Sequence, residues 1–185
     1  RLCLVGSEMC IRDRFYLFYL LINISNISMK HLILIRHGQS EWNQQKRFTG
    51  WVDVGLTDKG RAEAKKAGEL IKEKKIKLDS FYSSFQKRAN DTLKIVMKEL
   101  NEDENLITKK WQLNERHYGE LTGLNKEDMK KKYGEEKIHQ FRRSWDVKPG
   151  ALDRKSPYHP LNIETYKDIP VSDIPDTESL KDTHK

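Results

Sequence analysis

The sequence predicts an α/β protein, a mostly parallel sheet with helical covering. Short apolar runs alternate with longer stretches of helical periodicity, in the order strand, helix, strand, helix, strand. At 185 residues the chain is long enough for one real core, and it holds no internal repeat or low-complexity tract.

"HLILI", His31 to Ile35, is a short apolar run close to a glycine and reads as a buried strand. "GWVDVGLTDKG", Gly50 to Gly60, reads as a loop. Thr57 can cap a helix from about Asp58 to Lys75, in which Ala64, Ala67, Gly68 and Ile71 form one apolar stripe. "LDSFYSS" from Leu78 predicts a second strand and turn. A second helix is expected from about Gln86 to Leu100, with Leu93, Val96, Met97 and Leu100 on one face. "NLITKKW", Asn105 to Trp111, predicts a third strand. All five prolines, from Pro149 to Pro175, lie in residues 146–185, which reads as a long irregular excursion. "DTESLKDTHK" then resembles an N-cap, Asp176 or Thr177, and a first helical turn.

Residues 1–28 are expected to be a non-native or disordered leader, with Met29 the true start. "FYLFYLL", Phe15 to Leu21, is too short to span a bilayer, which takes ~20 apolar residues. Residues 29–185 are expected to be the N-terminal part of a single domain. Both cysteines, Cys3 and Cys10, precede Met29, which fits a cytoplasmic protein without a disulfide framework.

The chain is 36% hydrophobic and 34% charged, with a net charge of +7. Such a balance suits nucleic acid, an anionic membrane or a small anionic substrate. The basic residues are spread rather than striped, and no zinc-finger, RNA-recognition or basic-zipper signature is present. A small anionic substrate is therefore favoured, with no nucleic acid and no membrane as partner.

In parallel α/β folds, ligands gather beyond the carboxyl ends of strands. Arg36 and His37 lie there, Arg88 follows the second strand, and Glu115, Arg116 and His117 follow the third. A neutral histidine is a good nucleophile towards phosphorus once its second ring nitrogen is tied to a carbonyl. Arginine forks stabilise the charge that phosphoryl transfer spreads over three oxygens. Gly38 allows a close backbone turn, and Ser40, Asn43, Thr49 and Gly50 add polar donors. Glu115 is a candidate proton carrier. Each group also has a plainer reading. Arg-His-Gly alone is a weak signal, Glu115-Arg116 reads equally as an ion pair, and His117 reads better as an orienting or structural residue. His31, His139, His159 and His184 read as surface or packing residues, and the four tryptophans as packing.

"LIRHGQSEWN", "RFTGWVDVGLTDKG", "SSFQKRANDT", "LNERHYGELTGLNK" and "FRRSWDVKP" together resemble the cofactor-dependent phosphoglycerate mutases of the histidine phosphatase superfamily. The likeness runs from about Lys30 to Lys185. It implies a three-layer α/β fold with helices on both faces of a mostly parallel sheet, incomplete at the C-terminus. It implies interconversion of 2- and 3-phosphoglycerate through a phosphohistidine on His37, primed by 2,3-bisphosphoglycerate, without metal. Glu115 would be the general acid and base. Arg36 and Arg88 would hold the transferring group beside Gly38, Ser40 and Asn43, with Thr49 and Gly50 contacting substrate. Tyr118, Lys126, Arg142 and Arg143 would bind the carboxylate and far phosphate, and Arg116 would line the same pocket. Family members are often dimeric or tetrameric, so a homo-oligomer stays open.

Two further readings stay beside it: a bisphosphoglycerate mutase or phosphatase of the same superfamily, and a non-catalytic polyanion-binding fragment. The family's second histidine, followed by glycine on a later strand, has no counterpart in residues 1–185. Low solubility and little turnover are therefore expected of this fragment.

Overall fold

The computed structural model describes residues 31–184. The readings made for residues 1–28, for both cysteines and for Met29 lie outside these residues. The elements are α1 (Glu41–Gln44), α2 (Asp58–Glu73), β1 (Phe81–Ser83), α3 (Lys87–Leu100), β2 (Ile107–Lys109), α4 (Lys126–Tyr133), α5 (Glu135–Arg143) and α6 (Leu180–Thr183).

The parallel pairing appears between β1 and β2, with Phe81, Tyr82 and Ser83 opposite Ile107, Thr108 and Lys109. The connection between them is α3, as a parallel crossover requires. Helices α2 and α3 pack against each other. Thr57 caps α2 as expected, accepting from the Gly60 N–H, and Ala64, Gly68 and Ile71 are its buried stripe. Gly68 lets α3 approach closely: a Cβ there would stand 2.8 Å from the Glu99 Cβ. On α3, Val96 and Met97 form the buried face.

The first expected strand is different. Residues 31–39 form no ladder, and Leu32 and Leu34 are 74% and 67% exposed. A buried parallel strand needs a hydrogen-bonded neighbour and cover on both faces. Among the described residues the sheet has two strands, β1 and β2, and neither pairs with this segment.

The loop after the Arg-His-Gly sequence is fixed by α2. A Cβ on Gly38 would lie 2.1 Å from the Gly60 carbonyl oxygen, and one on Gly60 would lie 2.1 Å from the Gln39 carbonyl oxygen. Gly60→Ala should therefore push this loop away from α2 and cost about 1–3 kcal/mol. Urea denaturation of the variant and the parent measures it. Equal midpoints would contradict the contact.

The expected excursion is present, pinned by 3₁₀ turns at Pro160–Asn162, Glu164–Tyr166 and Val171–Asp173. Tyr166, Ile169 and Ile174 pack on Trp51, and the Tyr166 hydroxyl donates to the Trp51 carbonyl at 2.6 Å. A second core joins Phe48 and Leu121 to Ile138 and Phe141 of α5. A third holds Trp42, Val52 and Val54, with Tyr158 against them. His159 is fully buried, so of its two expected places it takes packing.

The last helix starts later than the sequence suggested. Ser179 caps α6 in a capping box with Asp182. The two expected caps are engaged elsewhere: the Asp176 carboxylate accepts from Arg154 and His159, and the Thr177 hydroxyl donates to the Pro149 carbonyl.

Candidate active site

The site is built around Arg88, which has no solvent exposure. It stands in the first turn of α3, directly past β1, where a parallel strand delivers its next residues. Its Nη1 donates to the Val52 carbonyl at 3.0 Å, and its Nη2 to the Gly50 carbonyl at 2.8 Å and Gln86 Oε1 at 2.9 Å. The same Nη2 pairs with Glu115 Oε2 at 2.8 Å. Nε donates to His37 Nε2 at 3.3 Å. One guanidinium thus joins three segments that are distant in sequence.

His37 Nδ1 lies 2.7 Å from the Gly38 carbonyl oxygen and donates to it. This places the proton on Nδ1 and leaves the Nε2 lone pair facing Arg88. Burial, with the Arg88 charge second, holds the His37 pKa below the ordinary value, so the ring is neutral at pH 7. The Gly38 N–H donates to Thr92 Oγ1, and Thr92 in turn donates to the Arg88 carbonyl. Glu115 is tied on its backbone side to Gln86 Oε1 at 3.3 Å.

A second group of cations shares this neighbourhood. The charges acting on His37 include Arg36 and Glu115, and those acting on Lys126 are Arg142, Glu115 and Arg36. Burial, then Arg142, lowers the Lys126 pKa. Burial, then Glu115, raises that of Tyr118. The Arg116 guanidinium lies 5.1 Å from the Tyr118 ring centroid and donates through Nη2 to the Phe141 carbonyl. Among the described residues its buried Nη1 has no hydrogen-bond partner.

The sequence-expected residues therefore divide. His37, Arg88 and Glu115 are in direct contact, with Arg36, Arg116, Tyr118, Lys126 and Arg142 in the same field. Gly50 adopts φ +57 and turns its carbonyl onto Arg88, with buried Thr49 beside it. Ser40 and Asn43 form the capping box of α1, each binding the other's backbone N–H. Arg143 is exposed at the end of α5, and no hydrogen bond or ion pair among the described residues ties it to the group. Among those residues no three His, Cys, Asp or Glu side chains form a metal-holding cluster.

His117 is engaged elsewhere: its Nδ1 accepts from the Gly119 N–H, and its ring lies 6.1 Å from that of His159. Burial, then the neighbouring His159, pulls its pKa down to about 4. An unfolded histidine binds its proton near ~6.5. Below that pH the unfolded chain takes up a proton that the folded chain refuses. The His117 contribution to stability is thus complete above pH ~6.5 and is lost as the pH falls towards 4, by up to ~3 kcal/mol. Urea midpoints recorded between pH 7.5 and 4.5 should fall, and less steeply in His117→Gln. Parallel slopes would contradict this.

Two organising residues escaped the sequence reading. Gln86 receives Arg88 and the Glu115 N–H while donating to the Gly50 carbonyl. Thr92 links Arg88 to Gly38. Position was the available signal: Gln86 stands directly before the helix that carries Arg88, and Thr92 lies one turn beyond Arg88.

Fold and site together define an α/β protein whose Arg-His-Gly loop meets a buried arginine and a carboxylate at one edge of a parallel strand pair. The chain belongs to the histidine phosphatase superfamily (branch 1), whose family model matches residues 32–159. A 2,3-bisphosphoglycerate-dependent phosphoglycerate mutase of Pelagibacter ubique is 68% identical over 156 residues, covering 84% of this chain and 65% of that protein. Proteins of the same description from Bacteroides fragilis and Borreliella burgdorferi are 49% and 50% identical over 155 residues, covering 84% of this chain and 62% of theirs. The chain thus spans somewhat less than two thirds of the length of these relatives. Among solved structures, Bacillus stearothermophilus YhfR matches with a TM-score of 0.50 and 28% identity, over 60% of this chain and 51% of that one. Mycobacterial hydrolase 1 shares the fold, with a TM-score of 0.54 and 24% identity, over 61% of this chain and 50% of that one. Among the described residues no helix is long and apolar enough to cross a membrane.

Proposed function

We propose that this chain is the larger part of a cytoplasmic phosphoglycerate mutase, with residues 29–185 belonging to one domain, which moves a phosphoryl group between the 2- and 3-positions of glycerate by way of His37. The carrying observation is the His37–Arg88–Glu115 contact, a neutral imidazole with a locked tautomer beside a buried cation and a carboxylate. The names of the relatives support the same reaction and its dependence on 2,3-bisphosphoglycerate.

With His37 phosphorylated from 2,3-bisphosphoglycerate, the Glu115 carboxylate takes the proton of the free hydroxyl of 3-phosphoglycerate as that oxygen bonds to phosphorus and the phosphorus–Nε2 bond breaks, giving 2,3-bisphosphoglycerate. His37 Nε2 then bonds to the phosphorus at the 3-position as that ester bond breaks, and Glu115 gives the same proton to the departing oxygen, leaving 2-phosphoglycerate and the phosphohistidine restored. Arg88 and Arg36 balance the phosphoryl charge throughout. Ser40, Asn43, Thr49 and Gly50 lie along the loops that would contact it. Arg116, Tyr118, Lys126, Arg142 and Arg143 are assigned to the carboxylate and the second phosphate. The unpartnered Arg116 Nη1 fits an anion there.

The test is the ratio of two products, which holds even at slow turnover. With 3-phosphoglycerate and a trace of 2,3-bisphosphoglycerate, ³¹P NMR should show 2-phosphoglycerate forming faster than inorganic phosphate, and only with the trace present. Release of phosphate without interconversion would refute the mutase reading and favour a phosphatase.

A further inference from the structure

We infer that Glu178 is a positioning residue that sets the place of Glu115, and that Asp176–Ser179 is a clasp built to hold it there. The inference rests on the proposed role of Glu115.

Glu178 and His117 bind each other twice. The His117 N–H donates to Glu178 Oε2 at 2.7 Å, and the Glu178 N–H donates to the His117 carbonyl at 3.1 Å. His117 is fully buried, so its N–H has no water to turn to if the carboxylate is lost. Glu115 lies only two residues upstream. Its own backbone tie, to Gln86 Oε1, is the longer one at 3.3 Å. At 2.7 Å the bond to Glu178 is thus shorter than the backbone tie of Glu115 itself, and it holds the turn while the Arg88 pair holds the carboxylate.

The clasp is fixed on both sides of Glu178. The Asp176 carboxylate accepts from Arg154 Nε at 2.8 Å, Arg154 Nη2 at 3.1 Å and His159 Nε2 at 3.0 Å. The Asp176 carbonyl accepts from the Leu152 N–H, and the Thr177 hydroxyl donates to the Pro149 carbonyl. Ser179 starts α6, where Asp182 pairs with Lys148. Each residue from 176 to 179 therefore makes a specific bond, and Glu178 is the one that reaches the Glu115 turn. A catalytic carboxylate displaced by about 1 Å loses up to a hundredfold in rate.

The experiment compares Glu178→Ala and Glu178→Gln in the full chain; glutamine keeps an oxygen acceptor for the His117 N–H. Two readouts are taken: single-turnover phosphorylation of His37 by 2,3-bisphosphoglycerate, and NMR titration of the His37 ring. Glu178→Ala should slow phosphorylation about tenfold to a hundredfold at saturating donor, with little change in the half-saturating concentration. His37 should also titrate at lower pH, because the Glu115 charge that favours its protonated form has moved away. Glu178→Gln should restore both. Glu178→Ala with the parental rate and the parental His37 titration would overturn the inference. If the parent itself takes no phosphate, the proposed reaction fails while the titration still decides the clasp. Should Glu178→Ala not fold, Glu178→Asp, shorter by one methylene, gives the same two readings.

Discussion

His37→Ala should abolish phosphoryl uptake, by about 10⁴-fold or more, while the fold survives. The lost ring takes with it one bond to the neighbouring Gly38 carbonyl and one from Arg88 Nε. Arg88 keeps its bonds to Val52, Gly50, Gln86 and Glu115, so the scaffold of the site stands. The expected stability cost is about 1 kcal/mol. Circular dichroism melts and phosphorylation by labelled 2,3-bisphosphoglycerate separate the two effects. A folded variant that still takes label would remove His37 from the centre of the reaction.

Arg88→Met should damage both fold and chemistry. It takes the Arg88 hydrogen bond from the Val52 carbonyl, leaves the Gly50 carbonyl with the Gln86 bond alone, and leaves Glu115 without its cation. Breaking a buried ion pair costs about 3–5 kcal/mol. The Glu115 side chain is 36% exposed, which moves the expectation to about 3 kcal/mol. Phosphorylation of His37 should fall at least about 10³-fold, as when an arginine that stabilises a transferring phosphoryl group is removed. Arg88→Lys should recover part of the stability and little of the rate, since an ammonium cannot span five acceptors. Urea unfolding and labelling measure both, and a stable, active Arg88→Met would contradict the geometry.

Local chemistry was legible in the sequence where it stood alone. Thr57 as a cap, the stripe Ala64–Gly68–Ile71 and the parallel crossover through α3 all follow from spacing, and the structure has them. So was the meeting of Arg88 and Glu115, which follow β1 and β2 in a fold whose strand ends point one way; His37 joins them although its own segment forms no ladder among the described residues. What failed depended on neighbours. "HLILI" is apolar enough for a strand, yet a ladder is a property of pairs, and this segment has none among the described residues. Helix α4 has no buried residue and carries four lysines, so its apolar stripe was too faint to read. Helix α5 shows its face only through Ile138 and Phe141, three residues apart. The Asp176–His159 pair and the Glu178–His117 pair span 17 and 61 residues and consist of polar groups. Periodicity detects apolar faces, so buried polar contacts of this kind leave no periodic trace. Asp176 and Thr177 looked like caps because nothing local showed that their side chains were committed.

The central claim is that Nε2 of His37 accepts a phosphoryl group. The most direct measurement is mass spectrometry of the chain after brief exposure to 2,3-bisphosphoglycerate, with peptide mapping under alkaline conditions that preserve phosphohistidine. The account predicts one phosphate on His37, lost in acid and absent from His37→Ala. Phosphate on another residue, or none on a folded chain, would contradict it.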